Sequence, residues 1–191
     1  MQLKALEIDE KLGYQEGLSN AYGNLGNIYS TRGDLDKAEE MYLKSLEISE
    51  KLGLLEGMAS AYCSLGVVYN SRGEPDKAED VVLKSLEIYK KLGRQDGMAT
   101  AYGNLGMFYG MQGNLDDAEV MILKSLEIAK RLGQKDGMAA AFMNLGTIDE
   151  DRGDLSAARE HWTAALELYR KIGIRDKVEI VQRLLNELPP E

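Results

Sequence analysis

The chain repeats itself every 40 residues, and no other feature narrows its possible folds so far. Ala21-Tyr22-Gly23-Asn24-Leu25-Gly26 returns as Ala61-Tyr62-Cys63-Ser64-Leu65-Gly66, as Ala101-Tyr102-Gly103-Asn104-Leu105-Gly106 and as Ala141-Phe142-Met143-Asn144-Leu145-Gly146. A fixed period of this size builds a stack of like units, each unable to bury its apolar face alone, rather than one globule around one pocket. The work of such a chain is expected from an extended surface.

Each period reads as two helices. Met98, Tyr102, Leu105 and Tyr109 share one helical face, as do Ala78, Val82, Ser85, Leu86 and Tyr89 on the next segment. Gly33, Gly73, Gly113 and Gly153 follow the first helix, where a left-handed cap suits glycine, and Gly13, Gly53, Gly93, Gly133 and Gly173 close the second. Asp34, Glu74, Asn114 and Asp154 stand where the second helix begins, most of them good N-caps, and Pro75 fits only in a first turn. Breakers about every twenty residues rule out a continuous coiled coil. Gly26, Gly66, Gly106 and Gly146 lie mid-helix, a costly place for glycine, so close helix approach is expected there. Ala38, Ala78, Ala118 and Ala158 occupy the matching phase of the second helix. Glu47→Lys51, Glu87→Lys91 and Glu127→Arg131 read as four-apart pairs on solvated surface.

Composition excludes several classes of function. A formal charge of -9 disfavours nucleic acid and anionic membranes, whose phosphates call for clustered Lys and Arg. Cys63 is the only cysteine, so no internal disulfide forms, and a reducing compartment, the cytoplasm, is expected. The start, MQLKALEIDEKLG, is charged throughout and reads as neither signal peptide nor membrane span. With one histidine and one cysteine, no nucleophile–base pair or transition-metal site assembles, so catalytic residues, metals and cofactors are expected to be none. His161 falls at the phase of Met41, Val81 and Met121 and reads as a packing residue. The carboxylates of 149–154 lack the alternating spacing of a calcium loop, and the two Arg-Gly-Asp tripeptides read as helix end, turn and cap.

The ends differ from the middle. Residues 1–12 align with a second helix, Leu3, Leu6, Ile8 and Leu12 matching Leu43, Leu46, Ile48 and Leu52, and their first helix is missing. Either the array continues upstream, or this bare face meets another chain, including another copy stacked end to end. Asp176 to Leu188 reads as a solvating cap in which Asn186 replaces the expected glycine.

The series Leu25-Gly26…Tyr29…Gly33…Ala38…Tyr42 resembles the tetratricopeptide repeat, in a longer 40-residue form similar to Pins-type adaptors, kinesin light chains and bacterial repeat proteins. The resemblance implies an all-α solenoid: a right-handed superhelix of antiparallel helix pairs. One array would span 1–191, with full repeats at 14–53, 54–93, 94–133 and 134–173, a partial repeat at 1–13 and a capping helix at 174–191. Repeat four departs from the pattern, Asp149 replacing tyrosine and Trp162 replacing Tyr42.

The resemblance further implies a concave groove lined by first helices and holding a peptide or a partner's helix. Carried over by position, that groove holds Asn20, Asn24, Asn27, Cys63, Val67, Asn70, Asn104, Met107, Met111, Met143, Asn144, Thr147 and Glu150. Asn24, Asn104 and Asn144 sit where family members hold a ligand's main chain, and an amide can pair with any peptide unit; Ser64 breaks that ladder. Val67, Met107, Met111 and Met143 suggest a pliable apolar floor. Glu150 and Asp151 make one end acidic, toward a basic residue of the partner. No Lys or Arg occupies the phase used by family members that clamp a C-terminal carboxylate. The expected function is a non-enzymatic adaptor with a protein or peptide partner; self-association, or service as the sensor module of a larger regulator, are the alternatives.

Overall fold

A computed structural model describes residues 14–189; the partial repeat, Gly13 and the unpaired helix expected at 1–13 lie outside them. Among the described residues there are nine helices and no strand: α1 (Gln15–Thr31), α2 (Leu35–Leu52), α3 (Leu55–Ser71), α4 (Pro75–Leu92), α5 (Gln95–Met111), α6 (Leu115–Leu132), α7 (Lys135–Arg152), α8 (Leu155–Ile172) and α9 (Arg175–Glu187). The fold is an all-α helical repeat of the solenoid class. It divides into two compact units, Met1–Gly97 and Met98–Glu191.

Turn chemistry sets the helix ends. Gly93 closes α4 at φ 67°, a left-handed conformation that a Cβ would strain, and its N–H donates to the Lys90 carbonyl. The starts of the second helices differ among themselves. Asp34 and Asp154 accept from the N–H of Lys37 and Ala157, whereas Glu74 and Asn114 make no side-chain capping bond. Pro75 at the first position of α4 leaves one fewer N–H to satisfy there.

The mid-helix glycines are where paired helices touch. A Cβ on Gly26 would lie 2.5 Å from the ring of Tyr42, and one on Gly106 2.5 Å from Cδ1 of Ile122. At Gly66 it would collide with Val82, and at Gly146 with Trp162. In two of the pairs the alanine of the second helix lies against the glycine: a Cβ on Gly66 would be 3.2 Å from the Ala78 backbone oxygen and one on Gly106 3.0 Å from that of Ala118, and Ala38, Ala78, Ala118 and Ala158 are all fully buried. Three of the four hairpins are also pinned by a serine. Ser85 Oγ donates to the Ala59 carbonyl at 2.7 Å and Ser125 Oγ to the Ala99 carbonyl at 2.8 Å. In the first hairpin Ser19 joins Ser45 and Ser49. Ala165 takes this place in the fourth.

Neighbouring hairpins share apolar cores. In the first unit Ala38, Tyr42 and Leu46 of α2 meet Ala61, Leu65 and Val68 of α3. In the second, Ala118, Ile122 and Leu126 of α6 meet Ala141, Leu145 and Ile148 of α7, and Trp162, Leu166 and Tyr169 of α8 pack with Val181 of α9. Burying residues such as Leu65 and Ile122 contributes about 1.5–3 kcal/mol each, and this term dominates. Charged side chains bridge the same junctions. The Arg72 guanidinium grips Asp36 (2.6 Å) and Glu39 of α2, and Arg152 grips Asp116 (2.6 Å) and Glu119 (2.5 Å) of α6. On the open surface Glu47 pairs with Lys51 at 2.6 Å, as do Glu40 with Lys44 and Asp80 with Lys84 at 2.7 Å. Pairs so exposed contribute little each.

Candidate functional site

The first unit holds a cleft of about 400 Å³ between α1 and α3. Asn20, Gly23, Asn24 and Asn27 line it from α1, and Gly57, Ser60, Ala61 and Ser64 from α3, with Tyr42 and Ser45 of α2 at its base. Helical spacing explains the set: 20, 24 and 27 stand one turn apart, so α1 presents three amides along one stripe. Tyr42 Oη donates to Asn27 Oδ1 at 2.8 Å, which commits that oxygen and leaves the amide NH2 to donate. Asn20 and Asn24 are exposed, and among the described residues their side chains make no hydrogen bond. Burial raises the Tyr42 hydroxyl above the ordinary tyrosine value, so no lining group of this cleft is ionised near neutrality.

The second unit holds a smaller cleft of about 150 Å³ between α5 and α7, lined by Gly106, Met107, Gly110 and Met111 on one side and Asn144, Thr147, Ile148 and Asp151 on the other. Met111 is 69% exposed and Met107 36%, so apolar surface faces water at this point. The Thr147 hydroxyl donates back to the Met143 carbonyl at 3.3 Å.

Seven of the residues expected from the sequence therefore gather in two places: Asn20, Asn24 and Asn27 in the first cleft, and Met107, Met111, Asn144 and Thr147 in the second. Val67, Asn70, Asn104, Met143 and Glu150 line neither. Two expected groove residues point elsewhere. Cys63 is buried, because α3 turns that position toward its neighbours. Met143 packs against the Trp162 core, and its carbonyl accepts from Trp162 Nε1 at 3.1 Å. Two hydroxyls join the amides in the first cleft: Ser60, at the groove position 40 residues on from Asn20, and Ser64, the residue that breaks the asparagine ladder.

His161 does what its phase suggests. Its Nδ1 lies 2.6 Å from Asp149 Oδ2, and its ring stacks on Phe142 with centroids 6.0 Å apart. Asp149, where the other repeats carry tyrosine, is thus engaged by His161, where they carry Met41, Val81 and Met121. Among the described residues no His, Cys, Asp and Glu cluster is placed to hold a metal, and no helix is long and apolar enough to cross a membrane.

A profile of the tetratricopeptide repeat family matches residues 1–51, 18–91 and 97–171. The chain belongs to that family. Tetratricopeptide repeats are protein-interaction modules, so the class of partner is protein. The structure is similar to BtubC (BKLC) from P. vanneervenii, 25% identical with a TM-score of 0.67 over 93% of this chain and 68% of that one. It is also similar to a Signal Transduction ATPase with Numerous Domains from Pyrococcus horikoshii that carries a tetratricopeptide repeat sensor, with 22% identity and a TM-score of 0.72 over 87% of this chain. The tetratricopeptide repeat chain spans about a quarter of that larger protein, 26% of its length. No curated protein matches the chain by sequence.

Proposed function

We propose that this tetratricopeptide repeat protein is a non-enzymatic adaptor that binds a segment of another protein through its first helices. The α1–α3 cleft takes main chain, and the α5–α7 cleft takes an apolar side chain. One observation carries the reading: the α1–α3 cleft is lined by amides, hydroxyls and two bare glycines, without an ionised group. Such a lining pairs with peptide units of any sequence and offers no counter-charge to a charged metabolite. Met107, Met111 and Ile148 beside Asp151 suit an apolar residue followed by a basic one. Buried and in no disulfide, Cys63 is compatible with the reducing cytoplasm, where we place the protein.

Peptides selected on the immobilised 191-residue chain from a random display library test the proposal. Affinities near the micromolar range are expected, about −8 kcal/mol. Asn24→Ala strands a peptide group at about 1–3 kcal/mol, a loss of roughly 5- to 150-fold, with the melting temperature unchanged. Met111→Glu is expected to reject the apolar residue. If the selected peptides bind both variants as tightly as the parent, the clefts are not the binding surface.

A further inference from the structure

Two of the mid-helix glycines leave a serine hydroxyl of the second helix within reach of the surface. Apart from its own stretch of helix, a Cβ on Gly23 would meet only Ser45 Oγ, at 3.6 Å, and one on Gly103 only Ser125 Oγ, at 3.5 Å. Both serines keep a trace of exposure, 6% at Ser45 and 8% at Ser125. Ser85 has none, in the hairpin where Cys63 replaces the glycine. In the fourth hairpin Met143 and Ala165 hold these two positions, and gap and hydroxyl are both missing. The protons of the two reachable hydroxyls are already placed. Ser125 gives its own to the Ala99 carbonyl at 2.8 Å. Ser19 lies 3.1 Å from the Ser45 carbonyl, 3.1 Å from the Ser45 hydroxyl and 2.8 Å from the Ser49 hydroxyl. With one proton, Ser19 completes all three bonds only by donating to the carbonyl and accepting from both hydroxyls. Ser45 and Ser125 therefore keep lone pairs to accept with and no proton to donate.

We infer that Ser45, reached through the gap at Gly23, accepts a main-chain N–H of an extended partner segment lying in the α1–α3 cleft. The inference rests on the adaptor reading and narrows it, from any segment of a protein to one in extended conformation. Gly23 and Ser45 both line that cleft, and Asn27 stands one turn along α1 from Gly23. The Asn27 oxygen is taken by Tyr42, so its amide offers the cleft a donor where Ser45 offers an acceptor. An extended chain answers both, since every second residue turns its N–H and its C=O to the same edge. A helical segment does not, because beyond the first turn each N–H is bonded within the helix. A cation is a poor occupant too. The lining holds no carboxylate, and an ammonium would give up its water for neutral oxygens alone. Glycine is needed at position 23 because a side chain there would hold the partner's backbone off the recessed oxygen.

The test uses the intact chain and the strongest peptide recovered from the display selection, made synthetically and in forms N-methylated at one backbone nitrogen each. Gly23→Ala adds an ordinary contact with Ser45 and a better helix former to α1, so its melting temperature should hold or rise. Its affinity for the peptide should nonetheless fall roughly 5- to 150-fold, the cost of leaving one N–H unpaired. Ser45→Ala should fall by a similar factor. One N-methylated form should show the same loss on the parent chain and little further loss on Ser45→Ala, where the bond it lacks is already gone. Parent affinity for Gly23→Ala or for Ser45→Ala overturns the inference. So does an N-methyl penalty that is equal on both proteins at every nitrogen. If either result comes with the loss expected of Asn24→Ala, the adaptor reading stands and the inference alone fails. If Asn24→Ala also binds as the parent does, or the selection yields no peptide, both fail.

Discussion

Gly66 and Ala78 show how much a single methyl group decides in this molecule. A Cβ on Gly66 would strike Val82 and press on the Ala78 backbone oxygen, so the two helices touch through the smallest residues available. Ala78 is fully buried. Ala78→Leu is therefore expected to destabilise the fold by about 1–3 kcal/mol, read as a lower urea midpoint at unchanged slope. An unchanged midpoint would refute the packing register. This contact was legible in sequence because glycine is expensive mid-helix and recurs at one phase. The serine pins were not. Ser45, Ser85 and Ser125 fall on an amphipathic face where a small polar residue attracts no notice, and their partners are backbone carbonyls, which pattern does not show. The block Lys-Ser-Leu-Glu-Ile, repeated at 44–48, 84–88 and 124–128, was the available signal.

At the scale of the helix, four equivalent starts are built in different ways. Asp154 holds the Ala157 N–H at 3.0 Å, while Asn114 in the same place makes no such bond. Asp154→Ala should lower stability by about 1 kcal/mol, and Asn114→Ala should cost clearly less. Thermal melts followed by circular dichroism compare the two; equal losses would mean that the cap at Asp154 contributes nothing of its own. Helix number, order and ends were readable from glycine spacing and apolar phase, since both follow from local sterics. Which N-cap is engaged was not, because a side-chain rotamer settles it. The groove residues divide along the same line. Helical phase puts Asn20, Asn24 and Asn27 on one stripe, and the family resemblance supplied the expectation that this stripe lines a groove. The inward turn of Cys63 and the packing of Met143 under Trp162 depend on the size of neighbours on other helices, which no single-helix pattern contains.

For the molecule as a whole, burial sets the response to alkali. Tyr69 and Tyr89 have their hydroxyls pushed up to about 12, chiefly by desolvation, with carboxylates nearby adding to the effect. In the unfolded chain a tyrosine ionises near pH 10. Between about pH 10 and 12 the unfolded state therefore releases protons that the folded state still holds, and stability present below pH 10 is progressively lost. Tyr89→Phe removes one such group. Its urea midpoint should fall less between pH 9 and pH 11 than that of the parent, and parallel falls would show that Tyr89 is not among the groups responsible.

The residues resting on the mid-helix glycines have a consequence for assembly. Hairpins this alike risk exchanging partners during folding, one unit's second helix closing on its neighbour's first. Opposite each glycine stands a different shape: Tyr42, Val82, Ile122 and Trp162. Each surrounding shell is filled to suit its own occupant, so a mismatched pair meets a void where valine replaces tyrosine, or an overlap where tryptophan replaces valine. Four near-copies are in this way keyed like separate locks, and the chain's uniformity does not cost it its order.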